Sequence, residues 1–294
     1  MKQYTAKIIV AAHKPYTMPD DEMYLPVHVG AAGKESIGYQ RDDEGENISS
    51  LNPYFCELTG LYWAWKNLNE DYIGLVHYRR HFAMNGKTME YEQLKPYLGK
   101  IKIFIPKKRW YVIETLQSHY EHTHYSEHIE KTRESILEKY PEYEKMFDKV
   151  LKQRWGYMFN MMIADRDILN DYCSWLFDVL FSVFKKIDSS NYSAFEKRYV
   201  GRISELLFNV SYYIQTGELK EFRRITRKAL NFVMLIATPS LWVKLLGLGN
   251  FITLVISAVL FFGAYALVLL AFKEEMVIEI LETFKLKKRG EVEK

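Results

Sequence analysis

The sequence predicts an α/β fold, a mainly parallel sheet flanked by helices. Three observations predict it. Apolar runs of strand length stand at 7–12 (KIIVAA), 72–76 (YIGLV) and 101–105 (IKIFI). Segments with apolar residues at helical spacing lie between them, an alternation that calls for crossover connections and parallel strands. Each run also ends in basic residues: His13-Lys14, His77-Tyr78-Arg79-Arg80 and, after Pro106, Lys107-Lys108-Arg109. Ligands of such sheets sit beyond the carboxyl ends of the strands, so these clusters point to an anionic, phosphorylated ligand. Solvated surface competes with that reading, most strongly at 107–109.

Taken in order, 7–12 is the first strand and 26–32 (PVHVGAA) the second. A polar loop rich in Gly, Asp and Glu follows over 33–50. Asn52-Pro53 reads as an N-cap with proline at the first helical position. Leu58, Leu61, Tyr62 and Trp65 then place one apolar face on that helix. After the 72–76 and 101–105 strands, 116–146 reads as helix, broken near Pro141. A further strand is expected at 157–163 (YMFNMMI). It precedes a helix at 168–185, with Tyr172, Leu176, Val179 and Leu180 on one face, and a last one at 198–214.

Of the 294 residues 48% are hydrophobic, enough for a large core, and the formal net charge is only +3. No lysine/arginine stripe suggests nucleic acid. Cys56 and Cys173 lie far apart in apolar patterns, which fits a reducing compartment better than a disulfide. The first apolar run is too short for a signal peptide. At the other end, 251–272 carries no charge and has the roughly 20-residue length that crosses a bilayer. The stretch 229–246 is also apolar but holds Pro239 and Lys244. Arg223, Arg224, Arg227 and Lys228 precede the region, and Lys285, Lys287, Lys288 and Arg289 follow it, which puts both flanks on the cytoplasmic side. The expected organisation is therefore a soluble domain over 1–222 and a membrane-associated helical tail over 223–294, a hairpin or a single span at 251–272. A buried core helix is the alternative.

The blocks ELTGLYWAWKN, GLVHYRRHF, FNMMIADRDILNDYCSWLFDVL and RYVGRISELLFNV follow one another between residues 57 and 210. In that order they resemble the bacterial capsular and exopolysaccharide glycosyltransferases long filed as a domain of unknown function. The 57–80 block is the specific part. The resemblance implies a GT-A-like, Rossmann-type catalytic domain. It implies transfer of a hexose, galactose in pyranose or furanose form, from a nucleotide-sugar donor such as a UDP-sugar. The acceptor would be an undecaprenyl-diphosphate-linked oligosaccharide, and the enzyme would sit at the bacterial cell membrane with its catalytic domain on the cytoplasmic face. His13, Asn47, Asn52, Glu57, His77, Tyr78, Arg79, Arg80, Asn160, Arg202 and Glu205 carry over as site residues. With Lys14 added, His13, Asn47, Asn52 and 77–80 are expected to bind the donor, and His124, Asn160 and Arg202 the acceptor. Glu205 is the first candidate for the general base, with Glu57 and Asp165 as rivals.

Glycosyl transfer must stabilise an oxocarbenium-like sugar and a departing diphosphate. Many GT-A transferases use Asp-x-Asp and a divalent metal for the second task, but the strand end here reads His77-Tyr78-Arg79. Guanidinium groups match diphosphate oxygens directly, so a metal-independent mechanism is favoured over one that uses a divalent metal. Asp165-Arg166-Asp167 is a literal Asp-x-Asp. It would hold a metal through carboxylate oxygens or cap the helix after it. His124 and His128 have zinc-ligand spacing, without a supporting HExxH pattern or cysteine. With His119 and His122 they read as a polar helix face, His124 near the acceptor. Trp63, Trp65, Trp155 and Trp175 read mostly as core. Two alternatives stay open, a non-catalytic membrane scaffold of a polysaccharide assembly complex and a metal-dependent transferase.

Overall fold

A computed structural model describes residues 3–84 and 86–216. The chain divides into two compact units, Met1–Gly217 and Glu218–Lys294. The first unit begins with β1 (Ala6–Ala12), β2 (Tyr24–His28), β3 (Gln40–Arg41), α1 (Asn52–Phe55), α2 (Leu58–Asn67) and β4 (Tyr72–His77). Then come the paired strands β5 (Ala83–Met84) and β6 (Lys87–Thr88), α3 (Tyr91–Leu94), β7 (Ile103–Phe104) and β8 (Arg109–Trp110). The remainder is α4 (Leu116–Glu121), α5 (Ser126–Lys139), α6 (Glu144–Leu151), β9 (Trp155–Gly156), β10 (Met162–Asp165), α7 (Arg166–Lys186) and α8 (Tyr199–Thr216).

The main sheet has the order β3-β2-β1-β4-β10-β7. β1 runs parallel to β2 and β4, and β3 parallel to β2. β10 is antiparallel to both β4 and β7, so the expected mainly parallel sheet is corrected to a mixed one. The register gives the reason: Met162 pairs with Leu75 and Asp165 with Tyr72, so the chain enters β10 at the carboxyl end of β4 and runs back along it. A strand buried on both faces carries the same apolar run in either direction.

β1 is central, and Ile8, Ile9 and Val10 are fully buried. Ile8 and Val10 join Tyr24, Tyr72, Val76 and Ile163 in one cluster. Ile9 faces the other way, towards Gly60 of α2. That helix buries Leu58, Leu61, Trp63 and Ala64. Several local expectations shift. The second strand is Tyr24–His28, ahead of 26–32. The 157–163 strand is corrected to Met162–Asp165, because Phe159 and Asn160 take φ of 74° and 53° and leave extended structure. The helical stretch at 116–146 breaks between Glu121 and Ser126 as well as at Pro141. Leu51, not Asn52, is the N-cap of α1.

Among the described residues no helix is long and apolar enough to cross a membrane. This corrects the fold class, which ended in a membrane segment; the residues concerned, 223–294, lie outside the described ones.

Candidate functional site

The parallel half of the sheet brings the ends of β1, β2 and β4 to one edge. At the end of β4 the chain reverses tightly: His77 N–H donates to the Arg80 carbonyl at 3.2 Å and Arg80 N–H to the His77 carbonyl at 3.0 Å. Tyr78 N–H donates to the Ala11 carbonyl at 3.2 Å, tying this turn to β1. The Tyr78 ring meets His13 edge-on at 5.2 Å, with the Arg79 guanidinium 5.1 Å from its centre. Beyond β2, Gly30 has φ of +66° and a Cβ there would strike the Asn52 side chain. Buried Asp42 holds this turn, accepting from Gly30 N–H at 2.8 Å and Ala31 N–H at 2.9 Å. The turn leads to Lys34.

These ends make a cationic rim. Partial desolvation lowers the His13 pKa, and the charges of Lys14, Lys34, Arg79 and Arg198 lower it further. Like charges gathered at one place favour an anion there.

Behind the rim lies an acidic floor assembled from three distant segments. Cys56 takes φ of 52° between α1 and α2, delivering Glu57. Asn160 Nδ2 donates to Glu57 Oε1 at 2.8 Å, and the neighbouring Phe159 carbonyl contacts His77 Nε2 at 2.7 Å. From α8, Gly201 comes so close to Cys56 that a Cβ would sit 3.1 Å from its Sγ. That approach brings in Glu205, 6% exposed. Burial raises its pKa, Arg202 opposes the rise and Glu57 adds to it. Arg202 Nη1 lies 3.4 Å from Glu205 Oε1. Non-glycine residues in the left-handed region, here Cys56, Phe159 and Asn160, collect where function holds them. A desolvated carboxyl among them is suited to accept a proton.

α8 links rim and floor. Arg202, Glu205 and Asn209 recur along it at helical spacing, and Arg198 stands just before its first residue. Arg198 Nε lies 3.4 Å from Cys56 Sγ and acts electrostatically on His13. Asn209 donates to the Tyr157 carbonyl at 2.9 Å and accepts from Tyr157 N–H at 2.8 Å, clamping the helix to the strand that carries the Asn160 loop. His124 is buried with its pKa lowered to about 4, first by burial, then by Arg202 and Arg198. Its Nε2 and the Tyr111 hydroxyl are buried without hydrogen-bond partners among the described residues. The other histidines of the 119–128 stretch are engaged: His128 contacts the Tyr120 and Tyr192 hydroxyls, and His119 and His122 both grip Glu114. Among the described residues no group of three or more His, Cys, Asp or Glu is placed to hold a metal ion.

The structure thus gathers His13, Lys14, Glu57, His77, Tyr78, Arg79, His124, Asn160, Arg202 and Glu205 around one edge, and corrects four expectations. Asp165 caps α7, accepting from Ile168 N–H at 2.9 Å, at the opposite end of β4, so it is no rival base. Asn47 is spent on its own loop, donating to the Asp43 and Gly45 carbonyls. Asn52 donates to the Cys56 carbonyl at 2.8 Å and Thr59 Oγ1 at 3.1 Å, bracing the kink. Arg80 turns away from Arg79 to cover the Phe159 ring at 4.3 Å. Lys34, Asp42, Tyr111 and Arg198 were not singled out by sequence. For Arg198 a signal existed, the polar stripe along an otherwise apolar helix. Trp63, Trp155 and Trp175 are buried, and Trp65 stacks on Phe177.

Fold and site together define a mixed α/β, glycosyltransferase-like domain with a cationic edge. The chain belongs to the family described as domain of unknown function DUF4422, which matches residues 7–217. It is similar to the apo structure of WbbM, a bifunctional glycosyltransferase, at 32% identity and a TM-score of 0.68. The match covers 73% of this chain and 44% of that one, so this chain spans less than half the length of that relative. No curated protein matches the sequence.

Proposed function

We propose that the domain is a glycosyltransferase that moves a hexose from a nucleoside-diphosphate donor, a UDP-sugar, to a hydroxyl of a lipid-linked oligosaccharide in capsular or exopolysaccharide synthesis. The observation that carries the reading is the cationic cluster at the strand ends: the Tyr78 ring lies 5.2 Å from the His13 ring and 5.1 Å from the Arg79 guanidinium, and Lys14, Lys34 and Arg198 also act on His13. In the transfer the acceptor oxygen bonds to the anomeric carbon as its proton passes to Glu205. The bond from that carbon to the diphosphate breaks, and its electron pair leaves on the phosphate oxygen. Positive charge fixed at that oxygen stabilises the developing anion, an effect of about 3–4 kcal/mol for one well-placed donor. Glu57, through Asn160, positions the floor, and Arg202 keeps Glu205 within reach of ionisation. Galactose is the donor sugar we favour and undecaprenyl diphosphate the acceptor carrier, on the cytoplasmic side, where Cys56 and Cys173 stay free.

The test is titration of the full chain with UDP and UDP-hexoses, followed by transfer assays on lipid-linked acceptors. Binding of UDP with release of UDP on transfer is the expected result. Absence of any heat at millimolar UDP removes the reading and leaves the scaffold alternative.

A further inference from the structure

The segment 107–113 (KKRWYVI) is a cationic and apolar edge that the proposed chemistry does not use. β8 holds it in place by pairing Arg109 with Gly156 and Trp110 with Trp155. Tyr111 alone turns inward: Trp110 is 41% exposed, Tyr111 8%, Val112 47% and Ile113 80%. Lys107, Lys108 and Arg109 precede the apolar residues and make no ion pair among the described residues. Lys108 rests over Trp155 at 4.1 Å and Arg109 over Tyr111 at 5.2 Å. Three unneutralised cations beside an indole, a valine and an isoleucine in water match the two layers of an anionic bilayer surface, phosphates outside and acyl chains beneath.

We propose that 107–113 docks the domain on the anionic headgroup layer of a lipid bilayer, with Trp110, Val112 and Ile113 entering the interface and Lys107, Lys108 and Arg109 meeting the phosphates. The role of this dock rests on the transferase reading, because the same ribbon turns Tyr111 inward towards the candidate base. Tyr111 is buried, which raises its pKa, and the charges of Arg109, Glu205 and Arg202 also act on it. A lipid-linked acceptor lying in that bilayer would therefore reach the floor along the ribbon. The surface belongs to the described domain.

Hydrogen exchange of the full chain tests this locally, whatever else attaches the protein to lipid. Vesicles of phosphatidylglycerol mixed with phosphatidylcholine should slow exchange at 109–113 by about threefold or more, while Tyr91–Leu94 keeps its rate. The paired changes Val112→Ser and Ile113→Ser should abolish the slowing and leave UDP binding as it was. No slowing overturns the proposal. So does equal slowing on pure phosphatidylcholine, or protection already present without lipid, which would mean that another part of the chain covers the ribbon. UDP titration of the same samples keeps the two readings apart: lost UDP binding with intact lipid protection sinks the transferase, and the reverse sinks the dock.

Discussion

The rim and the floor meet where His77 contacts the Phe159 carbonyl, and they are built by opposite means. Lys14, Lys34, Arg79 and Arg198 are exposed, mostly on turns that follow strands. Glu57, Asn160 and Glu205 come from three remote segments, and left-handed backbone at Cys56 and Asn160 together with tight packing at Gly201 fixes them. A solvated rim works through summed charge and is screened by salt. A desolvated floor works through one ionisation and depends on position. Charge is therefore cheap to gather at strand ends, whereas a tuned carboxyl needs several elements to agree.

The largest expected effect breaks the floor. Glu205→Gln should cut turnover by about 10²-fold or more while UDP still binds, seen by pairing kinetics with calorimetry. The same change sharpens the contrast through pH. Since burial raises the Glu205 pKa above 4.5, the ionised form weighs on the folded state. That penalty is absent below the unfolded carboxyl range and grows as pH rises through the folded pKa. The variant should thus melt higher than wild type at pH 8, with the gap closing as pH falls below 4.5.

Next comes the rim. Arg79→Ala should lower transfer by about 10²-fold and weaken UDP binding, with an unchanged melting temperature because the side chain is exposed. UDP affinity itself should drop as salt rises, whereas Arg80→Ala, whose guanidinium covers Phe159, should cost only a few-fold. Comparable losses at both arginines would erase the distinction drawn between them.

A smaller effect sits on the far edge. Asp165→Ala should cost about 1 kcal/mol of stability through the lost helix cap and leave turnover within about twofold, since surface-cap losses do not reach the chemistry. The acid response is read on stability alone. His124 and His128 are buried with pKa values lowered to about 4 from 6.5. Between those values the unfolded chain takes up protons that the folded imidazoles refuse. Denaturant midpoints should therefore fall as pH drops from 6.5 towards 4, and a flat profile would show that these rings open to solvent.

Much of the rim was readable in sequence. His13-Lys14 and His77 to Arg79 follow apolar runs that could only be strands, and a parallel arrangement puts such ends together. The floor was legible by resemblance alone. Asn47 and Asn52 misled because an asparagine that braces its own loop has the same letter as one that meets a ligand. Asp165-Arg166-Asp167 misled in the other direction, since its capping role depends on which end of the sheet it occupies.

By itself the sequence determined the strand cores, the helical faces and the basic strand ends. These follow from periodicity and local polarity, which act between neighbours in the chain. Only the tertiary structure decided that β10 runs backwards, that Arg80 parts from Arg79, and that Glu205 is dry and close to Glu57. Direction and desolvation are set by which distant surfaces pack together, and burial patterns in a single strand or helix do not carry that information.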